Sequence, residues 1–558
     1  GYESGTLSGA GEGTLQLNYQ NLQSDGYLSN SPIKAQNLTV KFERKVSDSS
    51  VLTFFSSVNN TKYQQPDSNK GATQSQIALY GRNFQLDNDP TSLNYWGYNF
   101  TNKDTDFDYL RLRSDLGNGW KTDNALYTYA YNNQTISSSD PTWMGTTPAT
   151  NKDPRTTVSG VVTVIPGIDK QNKYRVWGDI FKATKQLDAG QLRTGVWLES
   201  STSDRHQYDI NVLNGSFLGV EKAIAGVPAS ATLGGTNRPI NSVKFDQQST
   251  IRTVQPYVEY EWMVTSDLQM TPGVKYININ RSHTSPVAQT TRIANDSGSL
   301  TYTSTLPFLT VNQKLGENMS VYGQYAKGFQ IPDLNTLYVS NPTLNSTDPQ
   351  KTTNYQFGIV GKSDRMTWDA DIYRVEFVNK LQSVTTGTDT YFANIGGATY
   401  QGMEGQMAYV LGGGLSAYLN GSVNKATATD TGLQLANAPE FTAAVGALYS
   451  EGGWSGSLIY KVNGPVRQKD FTAGKAAING VAYYDYYQTP SYGTLDLAMA
   501  YTLTGRSAFG KSLKLQLNVF NVLDNNAVTA ISTGTTTTYD TYVYQTPRSF
   551  QVSLKADF

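Results

Sequence analysis

Few side chains in this sequence are suited to catalysis. The 558 residues include no cysteine and only two histidines, His206 and His283. A zinc site needs several His or Cys ligands, and no short motif indicates a Ser-His-Asp triad. We therefore predict that both histidines lie in exposed loops and that the protein is not an enzyme.

Aromatic residues near basic ones indicate ligand binding instead. A tyrosine or tryptophan ring combines an apolar face with a polar tip, and arginine adds bidentate or stacked contacts. Such a set is typical of a vestibule for a bulky anionic or aromatic ligand, although the same rings could pack loops or lie at a membrane interface. The candidates are Tyr95, Trp96, Tyr98 and Phe100 in one polar stretch, Trp143 in a second, and Tyr483, Tyr484, Tyr486 and Tyr487 in a third, which Arg467 and Lys469 precede.

The elements that must position these rings are two-faced strands. The carboxy-terminal residues alternate between apolar and polar types, which suits a wall between lipid and water; an edge strand of a soluble sandwich is the alternative. A terminal strand of this pattern that ends in Phe resembles the assembly signal of bacterial outer-membrane barrels. Its apolar residues are Phe550, Val552, Leu554, Ala556 and Phe558.

Composition agrees with a barrel. Only 38% of the residues are hydrophobic, the mean hydropathy is -0.44, and there are 37 Tyr and 50 Gly. No run approaches the roughly 18 apolar residues of a spanning helix, whereas a barrel needs only every second residue to face lipid. The net charge of -1 gives no reason to expect a nucleic-acid partner. We predict an all-β fold, a large antiparallel transmembrane β-barrel.

Nine tight-turn signals alternate with ten longer polar stretches and predict about 20 strands. Short turns on one side and long loops on the other are the outer-membrane arrangement. Ambiguous stretches such as residues 156–165 could change the strand count by two. The turns lie near residues 47–50, 117–119, 188–190, 266–267, 316–318, 363–364, 412–414, 451–453 and 505–511. The loops lie near residues 24–33, 65–103, 135–169, 212–248, 282–299, 333–350, 384–390, 429–438, 469–490 and 526–541.

Alternation also assigns residues to the two faces of the wall. Charged residues opposite the apolar face are tolerated in a hydrated lumen, and we place Lys41, Glu43, Arg111, Arg113, Asp369 and Asp371 there. Aromatic residues cluster where strands leave the apolar band, with Tyr127, Tyr129 and Tyr131 as one example. We expect some of these residues to form interfacial girdles.

Several segments resemble the barrel of TonB-dependent outer-membrane receptors. Residues 320–332 resemble the family's strand that ends in a Gly-Phe-x-x-Pro corner, and Asn341-Pro342-Thr343-Leu344 resembles its Asn-Pro-x-Leu element. Residues 349–361, followed by residues 368–373, resemble the family's next hairpin, and residues 394–404 resemble its strand with a Gly-hydrophobic-Glu pattern. Residues 518–525 resemble the penultimate strand. The order of these motifs between residues 320 and 558 carries the resemblance, whereas the first half agrees only in general pattern.

The resemblance implies a barrel of 22 strands in the bacterial outer membrane, with an amino-terminal plug inside. In this sequence we find no plug-like region and no TonB-binding box, and the strand at Leu15 to Tyr19 resembles the start of the family's second hairpin. We therefore expect residues 1–558 to be barrel alone, without the plug and the first hairpin.

By the same resemblance the function is active import of a scarce nutrient, a ferric siderophore above all. Iron would enter as a chelate, so no cofactor is expected. The haem alternative is weakened because residues 333–340 contain no histidine. The implied partners are the siderophore, the TonB-ExbB-ExbD system acting through a plug, the barrel-assembly machinery, and outer-membrane lipid and lipopolysaccharide. The alternative function is a passive diffusion channel without a plug.

Overall fold

A computed structural model provides the structure of most of the chain. It describes residues 2–3, 13–67, 71–139, 153–219, 224, 227–228, 230–234, 236–288, 294–333, 348–386, 389–394, 396–470, 477–478, 480–507, 510–532 and 537–557.

Twenty long strands form one antiparallel sheet in which each strand pairs with the next along the chain, as the sequence predicts. A two-residue strand, Tyr2–Glu3, adds to the first of them. The twenty strands are Gly13–Ser24, Ile33–Ser47, Ser50–Gln64, Phe100–Gly117, Trp120–Ser138, Pro166–Leu187, Gly190–Asn211, Val243–Met263, Leu268–Val287, Ala294–Lys314, Met319–Gln330, Gln350–Lys362, Met366–Val378, Gly397–Gly412, Leu415–Ala428, Phe441–Glu451, Trp454–Asn463, Tyr492–Ser507, Gly510–Phe520 and Ser549–Asp557.

All nine predicted turns join consecutive strands at one end of this sheet, the short-turn end. The turn between Phe100–Gly117 and Trp120–Ser138 shows why its residue types matter. Gly117, Asn118 and Gly119 have φ angles of 78°, 49° and 76°, a region that glycine enters without strain and asparagine tolerates.

The described parts of the ten longer connections lie at the opposite, long-loop end and contain small elements of their own. Residues 156–165, which the sequence left ambiguous, form a separate hairpin and add nothing to the wall. The small strands are Ala72–Thr73, Thr156–Val158, Val161–Val164, Leu381–Thr386, Asp389–Asn394, Val466–Arg467, Gln488–Thr489, Val528–Ser532 and Thr541–Tyr544; the helical turns are Gln74–Tyr80, Trp96–Tyr98, Ile240–Ser242, Tyr483–Tyr486 and Thr537–Tyr539.

The two faces of the wall differ as a barrel in lipid requires. On the outer face, one row of paired residues runs through four strands as Phe357, Ile372, Met403 and Val423, and each is 55–59% exposed. Exposed apolar side chains in register around a sheet are stable against lipid and costly in water. Within the described ranges, no helix is long and apolar enough to span a membrane.

Loops bring the two ends of the sheet together. Thr541 and Tyr542, from the loop before the last strand, pair with Thr73 and Ala72, from the loop after the third strand. The Tyr27 hydroxyl, after the first strand, also reaches the Tyr544 carbonyl at 3.5 Å. The sheet therefore curves back on itself at the long-loop end, although the described residues of the first and last strands share no ladder.

Candidate functional site

The third predicted cluster is centred on the short helix Tyr483–Tyr486, and half of it is buried. Tyr484 and Tyr487 are only 8% and 2% exposed. The Tyr484 hydroxyl donates to the Gln434 carbonyl at 2.5 Å, and the Tyr487 hydroxyl donates to Asp540 Oδ2 at 2.8 Å. Burial raises the pKa of both phenols, and the Asp540 hydrogen bond raises that of Tyr487 further. These two rings therefore fasten three loops to one another.

Arg467 is also held within this loop group. Its Nη1 donates to Asp485 Oδ1 at 2.6 Å, and its guanidinium lies 4.2 Å from the centre of the Tyr484 ring. Tyr483 and Tyr486 each make an edge contact with Tyr487, at 5.0 Å between centroids, and remain half-buried. Lys469 is also half-buried. The rings most open to a ligand here are therefore Tyr483 and Tyr486.

The first predicted cluster also contains both buried and accessible rings. Tyr98 is 7% exposed and packs with Leu93 and Ile165. Burial raises the pKa of its phenol, and its hydroxyl has no hydrogen-bond partner among the described residues. Tyr95 contacts the Tyr98 ring at 5.3 Å and stays half-buried, whereas Trp96 is 38% exposed.

Phe100, the last member of that cluster, lies apart from the other three. It begins a wall strand on the outer face, in the row of Gln64 and Ile136, and Lys62 Nζ lies 4.9 Å from its ring centre. No ring contact between described residues joins the first cluster to the third. Trp143, Phe558 and the Asn341 to Leu344 element lie outside the described residues.

Charged residues on the inner face pair with one another. Arg111 Nε donates to Asp123 Oδ1 at 2.7 Å across one strand pair. Glu43 Oε2 lies 3.3 Å from Arg113 Nη2 and 3.9 Å from Lys41 Nζ. Because these pairs are partly hydrated, each contributes only about 0.2–1 kcal/mol. Their position opposite the apolar face agrees with the predicted lumen.

Tyr127, Tyr129 and Tyr131 also face the lumen, so this cluster does not belong to the interfacial girdles that we expect some of the aromatic residues to form. Tyr127 pairs with Tyr109 in the same strand pair in which Leu126 pairs with Leu110. The two leucines are 53% and 45% exposed on the outer face. Since side chains alternate along a strand, the odd-numbered tyrosines must point the other way.

The Tyr127 ring is locked in place by a glycine and two hydrogen bonds. A Cβ on Gly178, directly opposite on the next strand, would lie 2.1 Å from Tyr127 Cζ, so the ring occupies that space. Beyond the glycine, the Tyr127 hydroxyl donates to Glu199 Oε2 at 2.6 Å and accepts from Trp197 Nε1 at 2.7 Å.

The same arrangement recurs farther round the wall. Tyr322 lies over Gly358, where a Cβ would be 2.4 Å from its Cζ, and its hydroxyl donates to Asp371 Oδ2 at 3.1 Å. The neighbouring Asp369 accepts from Gln406 Nε2 at 2.8 Å. The two predicted lumenal aspartates are thus held by inner-face partners.

Both histidines lie on wall strands, which corrects the prediction of exposed loop histidines. His206 is on Gly190–Asn211 and stacks on Tyr208 at 4.2 Å. His283 is on Leu268–Val287 and is 9% exposed. Both residues are predicted in loops because the strands that carry them extend beyond the apolar band. The sequence does not show where regular strand pairing ends. In the described part of the chain, no group of three or more His, Asp or Glu side chains could hold a metal ion.

Sequence reasoning missed the inner-face rings, although a signal was present. Tyr127, Tyr129 and Tyr131 share the odd phase of Asp123, while Leu126 has the even phase. Comparing these phases would have assigned the tyrosines to the hydrated face.

Comparisons with known proteins agree with this geometry. A family model described as "TonB dependent receptor-like, beta-barrel" matches residues 15–522. No curated protein sequence matches. The ferric citrate transporter FecA is similar with a TM-score of 0.74 and 13% identity, over 99% of this chain and 74% of that one.

Two further solved structures show the same similarity. The ferric yersiniabactin uptake receptor FyuA from Yersinia pestis has a TM-score of 0.71 and 15% identity, over 100% of this chain and 77% of that one. The copper transporter OprC has a TM-score of 0.70 and 16% identity, over 97% of this chain and 76% of that one. At these identities, the likeness is one of fold.

Proposed function

This chain belongs to the TonB-dependent receptors through the β-barrel of that family, and on this premise we propose that it imports a bulky ferric siderophore across a bacterial outer membrane. Members of the family are transport receptors, so the chain is not an enzyme. The observation that carries the proposal is the family match over residues 15–522. The similar structures named for ferric citrate and ferric yersiniabactin support the ligand class.

The ligand would first meet rings at the long-loop end. Tyr95, Trp96, Tyr483 and Tyr486 offer accessible faces, whereas Tyr98, Tyr484 and Tyr487 are committed to loop packing. Rings on loops above a rigid wall suit ligand choice, because loops vary without disturbing the scaffold. Arg467 and Trp143 remain members of the proposed site, whereas Phe100 lies on the outer face and is left out of it.

The other partners follow from the family. Energy would come from TonB, ExbB and ExbD acting through a plug, and iron would pass as a chelate without serving as a cofactor. The assembly machinery would read the terminal strand through Phe550, Val552, Leu554 and Phe558. Lipid and lipopolysaccharide would contact the outer face, and no nucleic acid is involved.

Uptake of radioactive iron by cells with and without this protein tests the proposal. We expect the protein to confer uptake of at least one ferric siderophore and a protonophore to abolish that uptake. If uptake continues after the protonophore, or if the natural protein shows a large steady conductance in planar bilayers, the passive channel is the better description. If no ferric chelate depends on the protein, the siderophore proposal is wrong.

The loop site has its own test with any siderophore that passes the uptake assay. Replacing both Tyr483 and Tyr486 with Ala removes two ring contacts, each contributing about 0.5–1.5 kcal/mol, and should weaken binding about tenfold. The control replaces Tyr19 and Tyr276 with Ala; these are outer-face tyrosines, 61% and 44% exposed. Equal affinities in both double variants would remove the Tyr483–Tyr486 helix from the site.

A further inference from the structure

The outer face of five neighbouring strands is divided into an apolar part and a charged part. From the short-turn end up to the row that contains Phe357 and Val423, no outward-facing residue of these strands is charged. Above that row, toward the long-loop end, the outward positions carry four cations and one carboxylate, Glu376. The five strands are Met319–Gln330, Gln350–Lys362, Met366–Val378, Gly397–Gly412 and Leu415–Ala428. We call the four cations the basic flank; they are Lys327, Lys351, Arg374 and Lys425.

Two tyrosines mark the membrane interface at the foot of the basic flank. Tyr325 and Tyr355 pair directly above the last apolar row, with 5.5 Å between their ring centroids, and Tyr355 is 46% exposed. The same row continues across the next three strands as Arg374, Gln401 and Lys425. Outward tyrosines at the edge of an apolar band lie at the level of the lipid head groups. Arg374 and Lys425 therefore lie at the height of the lipid phosphates.

The cations of the basic flank are available to an anion. Lys327, Lys351 and Lys425 are exposed, and none of them forms an ion pair with another described residue. Arg374 donates through Nε to Glu376 Oε1 at 2.9 Å and through Nη1 to Gln401 Oε1 at 3.1 Å. These two bonds orient the guanidinium and leave its Nη2 without a partner among the described residues. An oriented guanidinium with a free N–H group suits a phosphate oxygen.

Another part of the outer face has the opposite charge. Above the row of Leu110, Leu126 and Leu198, four strands carry five outward carboxylates and only two outward cations, Lys173 and Arg175. Arg175 already pairs with Asp106 through hydrogen bonds of 2.6 and 2.8 Å. Phosphate is attracted to the basic flank and repelled here, so charge distinguishes two parts of one lipid-facing surface. We call the five carboxylates the acidic flank; they are Asp104, Asp106, Asp108, Asp169 and Asp204.

We propose that the basic flank binds the phosphorylated head group of an acylated lipid in the outer leaflet, whose chains lie on the apolar rows below. Arg374 and Lys425 are two strands apart, about 10 Å at roughly 4.8 Å per strand, so one head group with two phosphates can reach both. The site rests on the membrane location within the proposed function and does not depend on which nutrient is imported. Because the basic flank lies outside the barrel, a plug in the lumen leaves it unchanged.

Titration of the full chain in detergent with diphosphoryl lipid A, followed by native mass spectrometry, tests the site. Replacing both Arg374 and Lys425 with Gln should weaken binding about tenfold or more, because each basic residue near the head groups adds to the attraction. High salt should weaken binding to the unaltered chain in the same direction. Heat-modifiable gel migration confirms that each variant is folded.

The matched control replaces Lys173 and Arg175 with Gln. It removes the same charge at the acidic flank, and we expect lipid binding to stay unchanged. Glu376→Gln should strengthen binding about twofold or more, because it removes the one carboxylate beside Arg374. A gain of affinity cannot come from a damaged fold, so this variant separates a binding role from a structural one.

Four outcomes would overturn the proposal. The first is that the unaltered chain binds no lipid A, and the second is that both double variants lose affinity equally. Displacement of the lipid by an excess of inorganic phosphate would show a site for free phosphate instead of a lipid. Dimers that disappear in the Arg374/Lys425 variant would show that the flank contacts a second copy of this chain.

Uptake of ferric siderophores by cells is a separate measurement. Lipid binding that depends on Arg374 and Lys425, found in a protein that imports no ferric chelate, would keep the lipid site and remove the proposed import. Energy-dependent uptake by a protein that binds no lipid A would do the reverse.

Discussion

The hydroxyl of Tyr127 donates a 2.6 Å hydrogen bond to Glu199, which lies two strands away. The phenol can reach that far because the intervening residue, Gly178, has no side chain. A large ring thus covers a glycine and ties three strands together on the inner face. Tyr322, Gly358 and Asp371 repeat the arrangement, so it is a recurrent means of bracing this wall.

Gly178→Ala should destabilise the barrel by about 1–3 kcal/mol. The new methyl group would lie 2.1 Å from Tyr127 Cζ, so the ring must move and give up its bonds to Trp197 and Glu199. Urea unfolding of the chain in lipid vesicles, followed by tryptophan fluorescence, measures the loss. Gly421→Ala is the control, because its nearest neighbour is Thr442 O at 3.6 Å. Similar midpoints for the two variants would contradict the bracing role.

Tyr487→Phe should loosen the loops that carry the Tyr483–Tyr486 helix. Asp540 is 1% exposed, and losing one donor to a buried carboxylate costs about 1–3 kcal/mol. Hydrogen exchange of residues 480–491 should speed up at pH 7, with Tyr486→Phe as the unchanged control. Since the pKa of Tyr487 is raised, the wild-type contact should persist at neutral pH and weaken only as pH rises above the usual tyrosine pKa of about 10.

Val552→Arg should impair folding far more than Ser553→Arg. Val552 is 70% exposed on the outer face, where an arginine in lipid costs about 2–4 kcal/mol at mid-membrane depth. Ser553 is the next residue and faces the lumen, where a charge stays hydrated. The folded fraction of each variant can be read from heat-modifiable gel migration. Equal folded fractions would mean that this strand is not lipid-facing.

Single cysteines can test the orientation, because the chain has none of its own. Asp188→Cys places a thiol in a short turn, and Ala482→Cys places one in an exposed position of a long loop. A membrane-impermeant maleimide added to whole cells should label Ala482→Cys and spare Asp188→Cys until the cells are opened. The opposite labelling would reverse the proposed orientation.

The sequence by itself determined the strands and tight turns of the barrel wall. Strand alternation has a period of two, and tight turns use residue types that favour turns or accept positive φ, so both can be read locally. Because strand phase and turn-forming residue types are both local signals, all nine turns and the twenty strands agree with the structure. The predicted lumenal positions of the charged residues agree with the structure for the same reason. Arg111 and Glu43 alternate with apolar residues along their strands and therefore lie on the opposite face.

Only the tertiary structure decided which rings are free. Tyr484 and Tyr486 are two residues apart in one short helix, yet Tyr484 is buried against Gln434 of another loop. Likewise, the stacking of Phe55 on Tyr109 depends on the register between two strands, because these residues are 54 positions apart in the chain. Contacts between distant segments leave no local periodicity in the chain, so burial and ring stacking become visible only once the strands are paired and the loops are packed.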